Sequence, residues 1–264
     1  MISIDKQIAH WLTSAYVISF PKCGRTWLRV LIGKAIGEHY GFKTELINIS
    51  RYALKRWEIP VIRFTHDTGR QFKTVEEMAA DSDYQRYGGK KVVLLVRDPR
   101  DTIVSNYFQK TKRKGTYEGD IKSFIREERG GLKSLIAYYN YWLRSRDSFK
   151  GFHLVRYEDL HRDAAGELAK IFDFLELPVS QEAILQAVEF SRFENMKKME
   201  QKGSVDSNIL KAKDPNDQES YKVRKGKVGG YREYLDEEDI AFVEGYTQEH
   251  LSDQLACYKT ASDA

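Results

Sequence analysis

The 264-residue sequence contains only two cysteines, Cys23 and Cys257, which lie far apart in the chain. Such sparse cysteine fits a reducing compartment better than a disulfide framework. None of the six histidines has the spacing from cysteine or carboxylates that is typical of a zinc site, so we predict no metal site. No apolar run approaches the roughly 18 to 20 residues of a membrane span, and the N-terminus lacks a signal-peptide core. We therefore expect a cytoplasmic protein without a membrane span.

The sequence also lacks a strong excess of charge of either sign. Lysine and arginine number 43 against 39 aspartate and glutamate, which leaves a net charge of +4. This balance does not by itself call for a polyanionic partner, and we predict no nucleic-acid binding. The densest basic patch comprises Lys110, Lys112, Arg113 and Lys114, and such a run is typical of a solvated surface loop.

Short apolar runs alternate with segments of helical periodicity, in a chain of the length of one large domain. Strands are predicted at residues 15–20, 61–65, 91–96 and 152–156. Helices are predicted from Thr26 to a stop at Gly37, from Pro99 through Tyr107 with Asp98 as N-cap, and from about Asp159 to Phe174. Residues 67–90, 109–120 and 201–222 are predicted to form loops or lids. The predicted fold class is α/β, with residues 1–264 forming a single domain around a mainly parallel sheet flanked by helices.

The first motif that indicates chemistry is Phe-Pro-Lys-Cys-Gly-Arg-Thr-Trp at residues 20–27, between the first strand and its helix. The helix N-terminus offers backbone N–H groups and a favourable dipole to an anion, Gly24 permits a tight turn, and Lys22 adds a full charge. The segment is not a Walker A sequence, because Lys22 precedes the only glycine. On these residues alone, a simple strand-to-helix turn with an incidental lysine stays open.

Three segments, in the same order along the chain, resemble motifs of the sulfotransferases that use 3′-phosphoadenosine-5′-phosphosulfate (PAPS). The segment from Pro21 to Trp27 resembles that family's P-loop-like 5′-phosphosulfate loop. Val-Arg-Asp-Pro-Arg-Asp at residues 96–101, with Ser105, resembles its 3′-phosphate motif. Arg-Lys-Gly-Lys-Val-Gly-Gly at residues 224–230 resembles the loop that closes over the same phosphate. The resemblance implies PAPS as the donor and 3′-phosphoadenosine-5′-phosphate (PAP) as the product.

The resemblance also implies which residues bind the donor nucleotide. Arginine suits this role because its planar guanidinium can bind phosphate through two hydrogen bonds. Three of the uncharged residues have an alternative to donor binding. Ser105 could be a hydroxyl on the surface of a helix, and Tyr157 and Phe193 could be aromatic residues of the core. Arg97 could instead form a salt bridge with Asp98 or Asp101. The implied donor-binding residues are Lys22, Cys23, Gly24, Arg25, Thr26, Trp27, Arg97, Ser105, Tyr157, Ser191, Phe193, Arg224, Lys225 and Gly226.

The catalytic residues implied by the resemblance are His66, which follows Thr65 as in the family's Thr-His pair, and Lys22. A histidine can be neutral and basic at cellular pH, so His66 would accept the proton of the acceptor hydroxyl. A structural imidazole is the alternative, and Asp67 could orient His66 or replace it as the base. Phe64 stands where many family members have a catalytic lysine, which leaves Lys22 or Arg63 to stabilise charge.

The sequence therefore predicts in-line transfer of a sulfuryl group, without a metal, from PAPS to a hydroxyl, or less readily an amine. The acceptor could be a small molecule, a glycan or a lipid, and no oligomeric state is predicted. A nucleotide kinase that uses ATP and Mg²⁺, or a non-catalytic nucleotide-binding relative, are the alternatives. Cys23 replaces a serine of the family loop, and nearby positive charge is expected to lower its pKa and make it oxidisable.

Overall fold

The strands of the sheet are short and parallel, and the two central ones are largely apolar, as their hydrophobic runs predict. A computed structural model of the chain describes residues 4–42, 48–67, 69–202, 221, 223 and 225–259. Within these ranges, four strands form one sheet in the order β2-β1-β3-β4. The strands are β1 (Ala15–Ser19), β2 (Ile62–Thr65), β3 (Lys91–Val96) and β4 (Gly151–Arg156). All three neighbouring pairs are parallel, which confirms the predicted α/β class.

Helices surround this sheet. They are α1 (Ile4–Trp11), α2 (Arg25–Tyr40), α3 (Val75–Ala79), α4 (Pro99–Phe108), α5 (Ile121–Arg126), α6 (Leu132–Arg144), α7 (Tyr157–Arg162), α8 (Ala164–Leu175), α9 (Gln181–Phe190), α10 (Phe193–Lys202) and α11 (Glu237–His250). Helix α6 buries Tyr138, Tyr139 and Trp142 completely, and the central strand β1 is buried at every position. The core therefore lies between the two central strands and the helices that cover them.

Three predicted details of the helices are wrong. Helix α2 passes through Gly37 and ends at Tyr40, where Gly41 adopts φ 66° and caps the last turn. The predicted helix from Asp159 to Phe174 is two helices, since Asp163 leaves helical geometry and its carboxylate accepts a hydrogen bond from the Gly166 amide at 2.9 Å. The predicted loop after α4 begins with a π-helical turn at Gln109–Lys114, which continues that helix.

The order of the strands decides where the predicted site residues lie. His66 follows β2, Lys22 lies in the loop after β1, Arg97 follows β3, and Tyr157 follows β4. Because all four strands run in the same direction, these residues meet at the carboxyl edge of the sheet. Ligands of open parallel sheets bind at this edge.

Candidate active site

A cavity of about 610 Å³ lies at the carboxyl edge of the sheet. Residues that follow each of the four strands line it, among them Lys22, His66, Arg97 and Tyr157. The cavity wall also includes these other predicted site residues: Gly24, Arg25, Thr26, Trp27, Ser105, Ser191, Phe193, Lys225 and Gly226. The structure thus brings together residues that are up to about two hundred positions apart in the sequence. Arg224 lies outside the described residues.

The loop between β1 and α2 has the backbone of an anion site. Lys22 has φ 73° and Gly24 has φ 91°, both in the left-handed region. Gly24 is the N-cap of α2 and provides no side-chain acceptor to the first amides of that helix. Amides at such a turn and helix start suit a phosphate or sulfate group.

Gly24 is required for two separate reasons, and one substitution tests them. A β-carbon at this position would lie 2.5 Å from the ring of Tyr157, in addition to the strain of a positive φ. We expect Gly24→Ala to weaken PAP binding at least tenfold, because overpacking typically costs about 1–3 kcal/mol beyond the left-handed strain. The measurement is titration calorimetry with PAP.

Gly41→Ala is the matched control for that substitution. Gly41 ends the same helix with φ 66°, but a β-carbon there would have no atom within 4 Å. The control variant should lose about 1–2 kcal/mol of stability from backbone strain and keep its PAP affinity. Equal PAP affinity in the two variants would contradict a role for close packing between Gly24 and Tyr157.

Arg97 lies where three segments of the chain converge. Its guanidinium donates to the carbonyl of Lys22 at 3.4 Å and to the carbonyl of Lys227 at 3.1 Å, and it lies 4.4 Å from the ring centroid of Tyr157. It also forms an ion pair with Asp101 at 3.4 Å. Its Nε is buried and has no hydrogen-bond partner among the described residues. A buried donor without a partner in a cavity fits an anionic ligand better than a purely structural role.

Asp98 and Asp101, the two possible salt-bridge partners of Arg97, pair with different arginines. Asp98 pairs with Arg100 at 2.7 Å and caps α4, whereas Asp101 pairs with Arg97. Asp101 also accepts hydrogen bonds from the amides of Gly229 (2.9 Å) and Tyr231 (3.0 Å). Asp101 therefore holds the C-terminal loop against Arg97. This function of Asp101 was not predicted from the sequence, although Asp101 lies within the motif at residues 96–101.

Aromatic side chains form part of the cavity wall. The Trp27 indole donates to the carbonyl of Ser191 at 3.1 Å, and its ring lies 5.8 Å from that of Tyr157. Phe193 lies directly on Gly226, so that a β-carbon at Gly226 would overlap its ring. Each of these predicted residues thus contacts another of them. Flat aromatic surfaces of this kind suit the stacking of a nucleobase.

Two features of this wall were not predicted. His161 lines the cavity, and its Nε2 donates to the carbonyl of Gly226 at 2.9 Å. Lys225 lines the cavity as well, but its ammonium pairs with Glu233, which Lys227 also contacts. Part of the positive charge of the C-terminal loop is therefore balanced by Glu233. Only the tertiary structure reveals this pairing.

His66 is oriented by the backbone of the neighbouring strand. Its Nδ1 lies 2.8 Å from the carbonyl of Ser19 and donates to it, so Nε2 is the basic nitrogen of the neutral ring. Asp67 was the residue that could orient His66 or replace it as the base. Its side chain is buried and accepts hydrogen bonds from Arg70, Arg86 and the hydroxyl of Tyr87. Its carboxylate thus has a structural function.

Phe64, which stands where many family members have a lysine, contributes no charge to the cavity. Phe64 packs against Arg29, whose guanidinium carbon lies 4.6 Å from the ring centroid. Arg63 is exposed and does not line the cavity, whereas Lys22 does. Of the two residues considered for stabilising charge, Lys22 is therefore the one in position. Its ammonium also lies 3.4 Å from the side-chain oxygen of Gln109.

The burial and the pKa of the Cys23 thiol differ from those that the sequence predicts. Its side chain is fully buried and does not line the cavity, so any contact with a donor would be through its backbone. The thiol lies 3.2 Å from the hydroxyl of Tyr139, and that hydroxyl in turn donates to the carbonyl of Arg97 at 2.8 Å. Burial raises the pKa of the Cys23 thiol to about 12. The prediction of a lowered pKa is wrong, because desolvation outweighs the nearby positive charge.

Comparison with known proteins identifies relatives over most of the chain. A family model described as a sulfotransferase domain matches residues 12–254. Rat sulfotransferase 2B1 is 27% identical over 198 residues, which are 69% of this chain but only 55% of the rat protein. Rabbit amine sulfotransferase is 23% identical over 246 residues, which cover 90% of this chain and 80% of the rabbit protein.

Solved structures share the fold. Mouse sulfotransferase SULT7A1 complexed with PAP aligns with a TM-score of 0.62 at 21% identity, covering 94% of this chain and 88% of the mouse chain. Retinol dehydratase in a complex with retinol and PAP aligns with a TM-score of 0.60 at 20% identity, covering 92% and 82%. In the part of the chain that the structure describes, no helix is long and apolar enough to cross a membrane.

Proposed function

This chain belongs to the sulfotransferase family, and we propose that it transfers the sulfuryl group of PAPS to a hydroxyl, or less readily an amine, of an acceptor molecule. The observation that carries this proposal is one cavity lined by two cationic side chains, Lys22 and Arg97. Lys22 belongs to the loop before α2, and Arg97 contacts the C-terminal loop at the carbonyl of Lys227. A nucleotide with an anionic group at its 5′ side and another at its 3′ side matches this pattern.

The residues present fit PAPS on structural grounds. The buried Nε of Arg97, which lacks a described partner, would donate to the 3′-phosphate, and Ser105 would add a hydroxyl. Lys22 and the amides that begin α2 would hold the phosphosulfate. Tyr157 and Trp27 would contact the adenosine. The bound donor would supply the activated sulfuryl group.

In the proposed reaction, His66 takes the proton from the acceptor hydroxyl at Nε2 while the hydroxyl oxygen bonds to sulfur. The bond between sulfur and the bridging oxygen breaks, and PAP leaves with the electron pair. Lys22 and the loop amides stabilise the charge that develops on that oxygen. Positioning and electrostatics supply most of the catalysis, as in phosphoryl transfer.

Thermal denaturation with added nucleotides tests the proposal against the kinase alternative. PAP without metal should raise the melting temperature by about 5 °C or more at one hundred times its dissociation constant, because ligand binding stabilises the folded state. ATP with Mg²⁺ should raise it much less. The reverse order would favour a kinase, and binding of PAP without any transfer from labelled PAPS would favour a non-catalytic relative. A single domain for residues 1–264, a cytoplasmic location and independence from metal stay predictions.

A further inference from the structure

A mainly polar group of residues lines the same cavity as His66. We call it the acceptor side and define it by Gln71, Phe72, Asn106, Gln109, Lys110 and Gly130, which all line the cavity. Contacts join these residues: the Asn106 amide donates to the carbonyl of Gly130 at 3.2 Å, and the Lys110 ammonium lies 5.1 Å from the ring centroid of Phe72. Phe72 is the only large apolar side chain of the set. Such a surface suits a hydrophilic acceptor.

Lys110 gives the acceptor side a positive charge that forms no ion pair with a carboxylate of the described residues, although Glu127 lies near enough to attract it. It is about half-buried, between the rings of Phe72 and Phe124 at 5.1 and 5.0 Å. Among the described residues, no carboxylate oxygen lies within 4.0 Å of its ammonium. Burial lowers the pKa of Lys110, which reflects the cost of a charge removed from water. The prediction that this basic patch forms a solvated loop is therefore wrong at Lys110.

Arg25 adds a second such charge to the cavity. Its Nη1 is buried without a hydrogen-bond partner in the described part of the chain, and burial, with Arg29 nearby, lowers its pKa to about 10. Arg29, one helical turn along α2, also has a buried Nε without a partner there. Arg29 lies against Phe64, two residues before His66. Arg29 therefore lies beside the strand that leads to His66.

We propose that the acceptor is a hydrophilic molecule that carries an anionic group, such as a carboxylate or a phosphate or sulfate ester, beside the hydroxyl that receives the sulfuryl group. This inference rests on the proposed function. An anionic group on the acceptor would supply the ion-pair partner that Lys110 lacks, and it would hold the hydroxyl in the cavity that His66 lines. A neutral apolar acceptor would remove water from this cation and offer nothing in return.

The test compares two probes that differ by one carboxylate, 2-naphthol and 6-hydroxy-2-naphthoate. Their dissociation constants are measured by calorimetry on the complex of the protein with PAP, so that the result does not depend on turnover. We expect the carboxylate to bind about tenfold more tightly, as one charge-assisted hydrogen bond provides. Equal affinities, including no detectable binding of either probe, or tighter binding of 2-naphthol, would overturn the inference.

Lys110→Met and Lys112→Met are the matched variants. Both residues lie in the same π-helical turn, but Lys112 is exposed and does not line the cavity. Lys110→Met should remove most of the preference for the carboxylate, and Lys112→Met should keep it. Loss of the preference in both variants, or in neither, would contradict the assignment of Lys110. PAP affinity is measured in every sample, because absence of PAP binding would overturn the proposed function itself.

Discussion

Replacing His66 with alanine is expected to lower sulfuryl transfer by about 10²- to 10⁴-fold, the usual contribution of a positioned base. The carbonyl of Ser19 accepts from Nδ1, which makes Nε2 the nitrogen that receives the proton. The imidazole is not among the groups proposed to hold the nucleotide, so PAP affinity should change by less than about threefold. The measurement is transfer of labelled sulfate from PAPS to an acceptor of the wild-type protein, together with calorimetry of PAP binding.

His250→Ala is the control for this experiment. His250 ends helix α11 and does not line the cavity, so its loss should leave both transfer and PAP binding near wild-type values. Unchanged transfer in His66→Ala would show that His66 is not the base. Loss of PAP binding in parallel with transfer would instead indicate a structural imidazole, which the sequence alone left open.

The donor side of the site could be predicted because its determinants are local. Residues 20–27 contain both the strand end and the helix start that create a candidate anion site, and Arg97 directly follows a strand that is apolar from Val92 to Val96. The predicted strands agree with the observed ones to within one residue at either end. Local sequence therefore specifies the strands, the loop and the edge at which they meet.

The acceptor side could not be predicted, because tertiary contacts determine it. Arg70 is buried and pairs with Asp67 and Asp81, and this pairing fixes the turn that carries Gln71 and Phe72 into the cavity. No spacing in the sequence indicates these partners. Similarly, Lys110 belongs to a charged run that is typical of solvent-exposed loops, and only packing against Phe72 and Phe124 removes it from solvent.

The difference between local sequence and tertiary contacts also explains why the predicted lowering of the pKa of Cys23 is wrong. Lys22 and the start of the following helix predict a lowered pKa, but the thiol is fully buried and lies against the hydroxyl of Tyr139 in the middle of helix α6. This burial depends on the tertiary structure, and it raises the pKa. Local sequence can therefore predict which residues meet at the edge of the sheet, but not how deeply a side chain is buried.

Replacing Arg97 with alanine should weaken PAP binding about 10²-fold or more, since two charge-assisted hydrogen bonds of roughly 1.5–3 kcal/mol each would be lost. AMP, which lacks the 3′-phosphate, should bind the variant about as well as it binds the wild-type protein. The ratio of the PAP and AMP affinities, measured by calorimetry, is the decisive quantity. Arg97→Lys should recover only part of the ratio, because an ammonium lacks the planar pair of donors.

The contacts of Arg97 with the carbonyls of Lys22 and Lys227 make a second explanation testable. If Arg97 serves only to join these two loops, its loss should weaken PAP and AMP equally and leave their ratio unchanged, and that result would contradict 3′-phosphate recognition. Arg56→Ala is the control, since Arg56 is exposed and lies outside the cavity. A reduced ratio in Arg97→Ala, and not in Arg56→Ala, would support recognition of the second anionic group of the donor by the Arg97 guanidinium.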